Sequence, residues 1–112
     1  MVEIDEAKRA AAIEAGALAA VDPTAPDALA QLRAAVGKPI VSILDLVGSG
    51  DSVAFATSAL DRNGALVIIG LMGGDVTLST PMFPTKAIIL RGSYVGSLPD
   101  MQELVDLVKK HG

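Results

Sequence analysis

The sequence predicts an α/β fold: a doubly wound parallel sheet of about five strands with helices on both faces. Three observations carry that prediction. Short apolar, β-branched runs alternate with helix-forming stretches along the whole chain. The strongest run, I-V-S-I-L-D-L-V at 40–47, is apolar at both odd and even positions, as a strand covered on both faces requires. The 112 residues are 51% apolar, which suits one domain with one core and excludes intrinsic disorder.

Each element follows from local signals. Val2, Glu3 and Ile4 form a short strand. Residues 6–15 are dense in Ala, Lys, Arg and Glu, which are good helix formers, and Gly16 sits where a helix stop is expected. Residues 17–21 form a second apolar run, closed by Asp22 and Pro23. Asp27 is placed to cap a helix that presents Leu29, Leu32 and Val36 on one face and ends at Gly37, Lys38 and Pro39. The 40–47 strand leads through Gly48-Ser49-Gly50-Asp51 into a helix to about Arg62, with Val53, Ala56 and Leu60 on one side. Asn63 and Gly64 turn the chain into a strand at 65–69. Residues 70–86 show no helical period and predict a long loop. A last strand spans 87–95, and a last helix starts at Pro99 or Asp100, with Met101, Leu104, Val105 and Val108 on one face.

Composition excludes several function classes. The charge is 9 − 13 = −4, which argues against nucleic acid or an anionic membrane surface as partner. With no Cys and one His, disulfides, thiolate zinc sites and Cys nucleophiles are absent, and a transition-metal site is not expected. At 3%, aromatics are too few for base-stacking platforms. The first residues are charged at once and no apolar run reaches the ~20 residues of a membrane span, so the expectation is a cytoplasmic protein.

In a parallel sheet of this kind ligands sit at the carboxyl ends of the strands, so those positions are the candidate site. Glu3 ends the first strand; it accepts ribose hydroxyls there, or it is a solvent-facing residue near a chain end. The turn after Val47 has Gly48-x-Gly50-x-x-Val53, lacking a third glycine, and Asp51 would set a carboxylate against a phosphate. A tight turn with Ser49, Asp51 or Ser52 as helix cap fits better. Gly70-Leu71-Met72-Gly73-Gly74 either lets backbone approach a flat ligand or is a plain turn. Gly92 and Gly96 flank Ser93-Tyr94-Val95, and glycine in a strand marks close backbone approach. No nucleophile or acid–base group emerges; His111 belongs to a solvated Lys-Lys-His-Gly tail.

Taken together, these strand ends resemble the medium-chain, zinc-type alcohol dehydrogenases. V-E-I-D-E-A-K-R-A-A-A-I-E-A-G-A (2–17) resembles that family's second strand and helix: an acid ends the strand, Lys follows five residues later, and Gly-Ala closes the helix. D-L-V-G-S (45–49), N-G-A-L-V-I-I-G (63–70), R-G-S-Y-V-G-S (91–97) and D-M-Q-E-L-V-D-L-V (100–108) match later segments in the right order. The resemblance implies that Glu3 holds the adenosine ribose with Lys8 beside it, and that the cofactor is NAD rather than NADP. It further implies that Val47 and Gly48 line the path to the nicotinamide. Ile69, Gly70 and Leu71 would border the nicotinamide ribose, and backbone groups of Ser93 and Val95 would meet the carboxamide.

By the same resemblance, the family's first strand and G-x-G-x-x-G turn should precede Val2, and the zinc-bearing catalytic domain should flank the segment. Residues 1–112 are therefore expected to be a partial dinucleotide-binding domain, Rossmann-like and truncated. Such a chain is part of an NAD-dependent alcohol dehydrogenase, binds NAD weakly or not at all, and is inactive alone. The alternative is a stand-alone, non-catalytic α/β binding or assembly module. A phospho-acceptor sensor fits poorly, since Asp45 lies inside its strand without an acidic partner. The missing strand would leave those at 2–4 and 40–47 to close on each other or to recruit a second chain. Exposed edges, including 88–95, predict a homo-oligomer.

Overall fold

The computed structural model describes all 112 residues. Eight elements follow in order: α1 (Glu6–Glu14), α2 (Ala28–Val36), β1 (Ser42–Asp45), α3 (Gly50–Ala59), β2 (Ala65–Ile68), α4 (Met82–Lys86), β3 (Ile89–Gly92) and α5 (Leu98–His111). The sheet is parallel throughout, in the order β1-β2-β3, so the α/β class and the strand direction stand as expected.

Its size differs from expectation. Three strands form the sheet rather than five. The runs at 2–4 and 17–21 meet only as an isolated parallel bridge, Val2 to Val21, outside the ladder. The segments are held by Glu3 N–H to the Val21 carbonyl at 3.0 Å and Val21 N–H to the Met1 carbonyl at 3.0 Å. The strand at 2–4 does not close onto β1, which stays an edge strand. Two or three residues pair too briefly to propagate a ladder, whatever their β-propensity.

Helix ends obey local chemistry. Asp5 caps α1, its carboxylate accepting the Lys8 N–H at 3.0 Å. Asp27 precedes α2 but makes no cap bond, accepting instead from the Gln31 side chain at 2.8 Å. Ser49 and Ser52 form a reciprocal capping box at α3, and Ser97 and Asp100 form another at α5. The predicted loop at 70–86 contains one helical stretch, α4, which the Pro81 and Pro84 punctuation and a length of five residues hid from the periodicity.

The core lies on one face of the sheet. Val53, Ala56, Leu60, Leu66 and Ile88 form it, with Ile43, Ile68, Met82 and Phe83 packed around them. α3 lies on β1 and β2, and α2 packs on α3. Register aligns Ile43 with Leu66 and Leu90, and Leu44 with Val67 and Arg91. Because successive side chains alternate faces, the second row points away from α3. That face is open: Leu44 is 63% exposed, and Ile89, two residues before Arg91 on the same face, is 61% exposed. The apolar character of 40–47 on both parities therefore does not correspond to cover on both faces here. α5 is also unpacked; Met101, Leu104, Val105 and Val108, its predicted inner face, are all exposed.

Opposite the carboxyl edge, α2 is tied to the β2 approach. Arg33 donates to both carboxylate oxygens of Asp61 at 3.0 and 3.1 Å, and Asp61 accepts the Ile40 N–H at 2.8 Å. The Ile40 amide foremost, and then the Arg33 guanidinium, hold the Asp61 carboxyl below the ordinary aspartate range.

Candidate functional site

Parallel register puts the three strand ends in one row: Asp45 beside Ile68, and Ile68 beside Gly92. The segments that leave those ends therefore share one edge, the edge at which parallel sheets receive ligands. Val47, Gly48, Ile69, Gly70, Leu71, Ser93 and Val95 all lie on the segments that leave this edge. Gly48 and Gly70 meet there, and Ser49 pairs with Gly73 in an isolated parallel bridge.

The chemistry of this edge is mostly backbone. Asp45, only 6% exposed, accepts the N–H groups of Val47 and Gly48 on one carboxylate oxygen, at 2.9 and 3.0 Å. Its other oxygen accepts the Ser52 hydroxyl at 2.7 Å. Its carbonyl accepts the N–H groups of Ile69 and Gly70 at 2.8 and 3.1 Å. Nothing in the sequence marked Asp45 as central, because a single polar residue in a strand gives no spacing signal.

Of the two glycine turns, the reading at Gly70 changes and the capped helix start at Ser49 holds. A Cβ on Gly48 would lie 1.9 Å from the Gly70 carbonyl oxygen, and one on Gly70 would lie 2.2 Å from the Val47 carbonyl carbon. The close approach at Gly70 is thus to the neighbouring turn's backbone, not to open space for a flat ligand. The first turn of α3 is likewise filled, since Ser49 Oγ accepts the Ser52 N–H at 3.1 Å. This turn is a capped helix start rather than a phosphate cradle.

The third segment is more open. The expected strand at 87–95 ends at Gly92, after which Ser93 N–H still bonds the Ile68 carbonyl at 2.9 Å. Val95 is 75% exposed at φ +47°, a conformation that β-branched residues rarely adopt. Main-chain groups from Tyr94 to Gly96 make no hydrogen bond within the chain. They are main-chain donors and acceptors left unbonded at this edge, as is the Leu71 N–H.

Glu3 and Lys8 lie elsewhere, at the Val2 bridge and on α1. No hydrogen bond joins residues 1–22 to the three-stranded sheet. Glu3 is half-buried, and its Oε1 accepts the Asp5 N–H at 3.0 Å. Lys8 is exposed, while its neighbour Arg9 does the binding: Nη1 donates to the carbonyls of Glu3 and Ile4, both at 2.8 Å, and stands 3.6 Å from Asp22. Arg9 was indistinguishable in the sequence from any cation of an exposed helix.

No group of three or more His, Asp or Glu side chains is placed to hold a metal ion, so zinc does not fit residues of this chain. A concavity of about 440 Å³ is lined by Arg33, Lys38, Pro39, Asp61 and Arg62 at the opposite end of the sheet. It is charged, where small-molecule sites are predominantly apolar, and Asp61 within it is already paired. The carboxyl edge remains the candidate.

Known proteins match this chain over nearly its whole length. A family model described as zinc-binding dehydrogenase matches residues 1–110. An NAD-dependent alcohol dehydrogenase of Saccharolobus solfataricus is 28% identical over 109 residues, 96% of this chain and 31% of that protein. An alcohol dehydrogenase of a Moraxella strain is 34% identical over 106 residues, covering 95% and 31%. The solved alcohol dehydrogenase of Aeropyrum pernix superposes with a TM-score of 0.87 at 29% identity, covering 97% of this chain and 31% of that one. The chain thus spans about a third of the length of these relatives.

Proposed function

Because the chain belongs to the zinc-binding dehydrogenase family, we propose that it forms part of the cofactor-binding domain of an NAD-dependent alcohol dehydrogenase. In this reading the intact enzyme oxidises an alcohol to an aldehyde or ketone. The observation that carries it is the row Asp45, Ile68 and Gly92, which brings three post-strand segments to one ligand-receiving edge.

When bound, NAD supplies the hydride acceptor; this chain's residues bind and orient it. Backbone of 69–71 and the unpaired groups from Tyr94 to Gly96 would meet the nicotinamide half. The free Oε2 of Glu3 would accept from the adenosine ribose, and its charge would repel a 2′-phosphate. Zinc is left to parts of the enzyme outside these residues. Because the α3 start is closed by its own serines, this chain offers no pyrophosphate site and binds NAD weakly.

Fluorescence titration tests this. NADH should bind with a dissociation constant on the order of 1 mM, and NADPH more weakly. Preference for NADPH, or tight binding of either nucleotide, would overturn the reading.

We further propose a cytoplasmic homo-oligomer. No helix is long and apolar enough to cross a membrane. β3 is an edge strand with Ile89 and Leu90 exposed, and a second copy could extend the sheet across a two-fold axis.

A further inference from the structure

We propose that Asp45 is the positioning residue that makes the turn at 47–48 and the turn at 69–73 a single rigid body. Its importance for a nucleotide rests on the cofactor reading above; the coupling itself does not. A buried carboxylate is costly unless its oxygens are taken up, and here three donors take them up: two amides of the first turn and the Ser52 hydroxyl. The same residue's carbonyl receives the second turn through Ile69 and Gly70.

The second turn then lies on the first. Met72 N–H donates to the Val47 carbonyl at 3.1 Å, and Gly73 N–H to the Gly48 carbonyl at 3.0 Å. Carbonyls aim as their peptide planes aim: the Val47 carbonyl shares a plane with the Gly48 N–H that Asp45 accepts, and the Gly48 carbonyl shares one with the Ser49 N–H, which donates at 2.9 Å to Ser52 Oγ, itself held by Asp45. Loosening Asp45 must therefore loosen amides at 72 and 73, which its side chain does not touch. Geometry rather than charge is what matters. An amide oxygen can accept the same two N–H groups, and its NH2 can donate to Ser52 Oγ, whose proton turns to the Ser49 carbonyl, 3.0 Å away.

Backbone hydrogen exchange on the 112-residue chain tests the coupling. In Asp45→Ala, exchange at Val47, Gly48, Met72 and Gly73 should rise about tenfold, while Leu60 in the core changes far less. Asp45→Asn should stay within about twofold of the unmodified protein. Should Asp45→Ala not fold, Ser52→Ala removes one of the three bonds and should loosen the same four amides by a smaller factor. A rise confined to Val47 and Gly48, a rise spread evenly over the chain, or Asn as disruptive as Ala would each overturn the proposal.

A parallel titration separates it from the cofactor reading. Asp45→Ala should lower NADH affinity severalfold and leave AMP, which lacks the nicotinamide half, unchanged; equal loss of both would count against a positioning role. Tight NADH binding by the unmodified protein would sink the cofactor reading; if it binds neither NADH nor AMP, the exchange pattern alone decides the coupling.

Discussion

Gly48 and Gly70 occupy one space: a Cβ added to Gly48 would stand 1.9 Å from the Gly70 carbonyl oxygen. Gly48 also sits at φ +67°. Gly48→Ala should therefore cost about 3 kcal/mol, combining overpacking with a left-handed backbone. Gly73→Ala, at φ +93° with nothing within 4 Å, should cost only the backbone part, about 1–2 kcal/mol. Urea denaturation midpoints check the contrast; equal losses would show that the contact does not matter.

Burial separates two leucines. Leu66 has no exposed surface at the centre of the core, whereas Leu104 on α5 is 54% exposed. Leu66→Ala should cost about 3 kcal/mol and Leu104→Ala less than about 0.5 kcal/mol. A large effect at Leu104 in the dilute chain would mean that α5 packs somewhere in solution.

Acid should unfold the protein partly through Asp61. Its folded pKa lies below the unfolded value, first because of the Ile40 amide and then because of Arg33. Such a group stabilises fully above its unfolded pKa, and that contribution is lost as pH falls through the folded one. Melting temperature should thus drop as pH falls below about 4, and Asp61→Asn should flatten that part of the profile. An unchanged slope in Asp61→Asn would refute the assignment.

Glu3 should matter for nucleotide binding and little for the fold, since one of its oxygens makes no bond within the chain. Glu3→Ala is expected to weaken NADH about fivefold, the worth of one hydrogen bond, and to narrow the gap between NADH and NADPH. Competition with AMP provides the measurement.

Assembly through β3 predicts a dimer at tens of micromolar, roughly where weak edge pairing becomes visible. Sedimentation equilibrium with Ile89→Lys should then return a monomer, because charge on an edge strand opposes pairing. A monomeric unmodified chain would dispose of the idea.

What the sequence disclosed depended on the range of the forces involved. α3 was legible because Val53, Ala56 and Leu60 repeat at helical spacing and Ser49 caps them. The β1 and β2 strands were legible because Ile43, Leu66 and Ile68 are apolar and β-branched or bulky. The carboxyl edge followed from element order alone. The first two strands were overcounted, since propensity at Val2 or Val21 says nothing about whether a neighbour is there to pair with. Asp45 and Arg9 stayed invisible for the same reason: each acts through main-chain atoms that only the fold brings near. The turn at Gly48 was legible as a tight turn, but its contact with Gly70 was not, because it joins two turns that only the fold brings together.

The single bridge between Val2 and Val21 sets how the molecule comes apart. Residues 1–22 share no hydrogen bond with the sheet, so they can open without breaking the core around Leu60 and Leu66. Melting should proceed in two stages, and a protease should nick first near Pro23 and Pro26, leaving the three-stranded part intact for longer. In thermodynamic terms, the segment that would hold the adenosine ribose is expected to open at a lower temperature than the edge that would meet the nicotinamide.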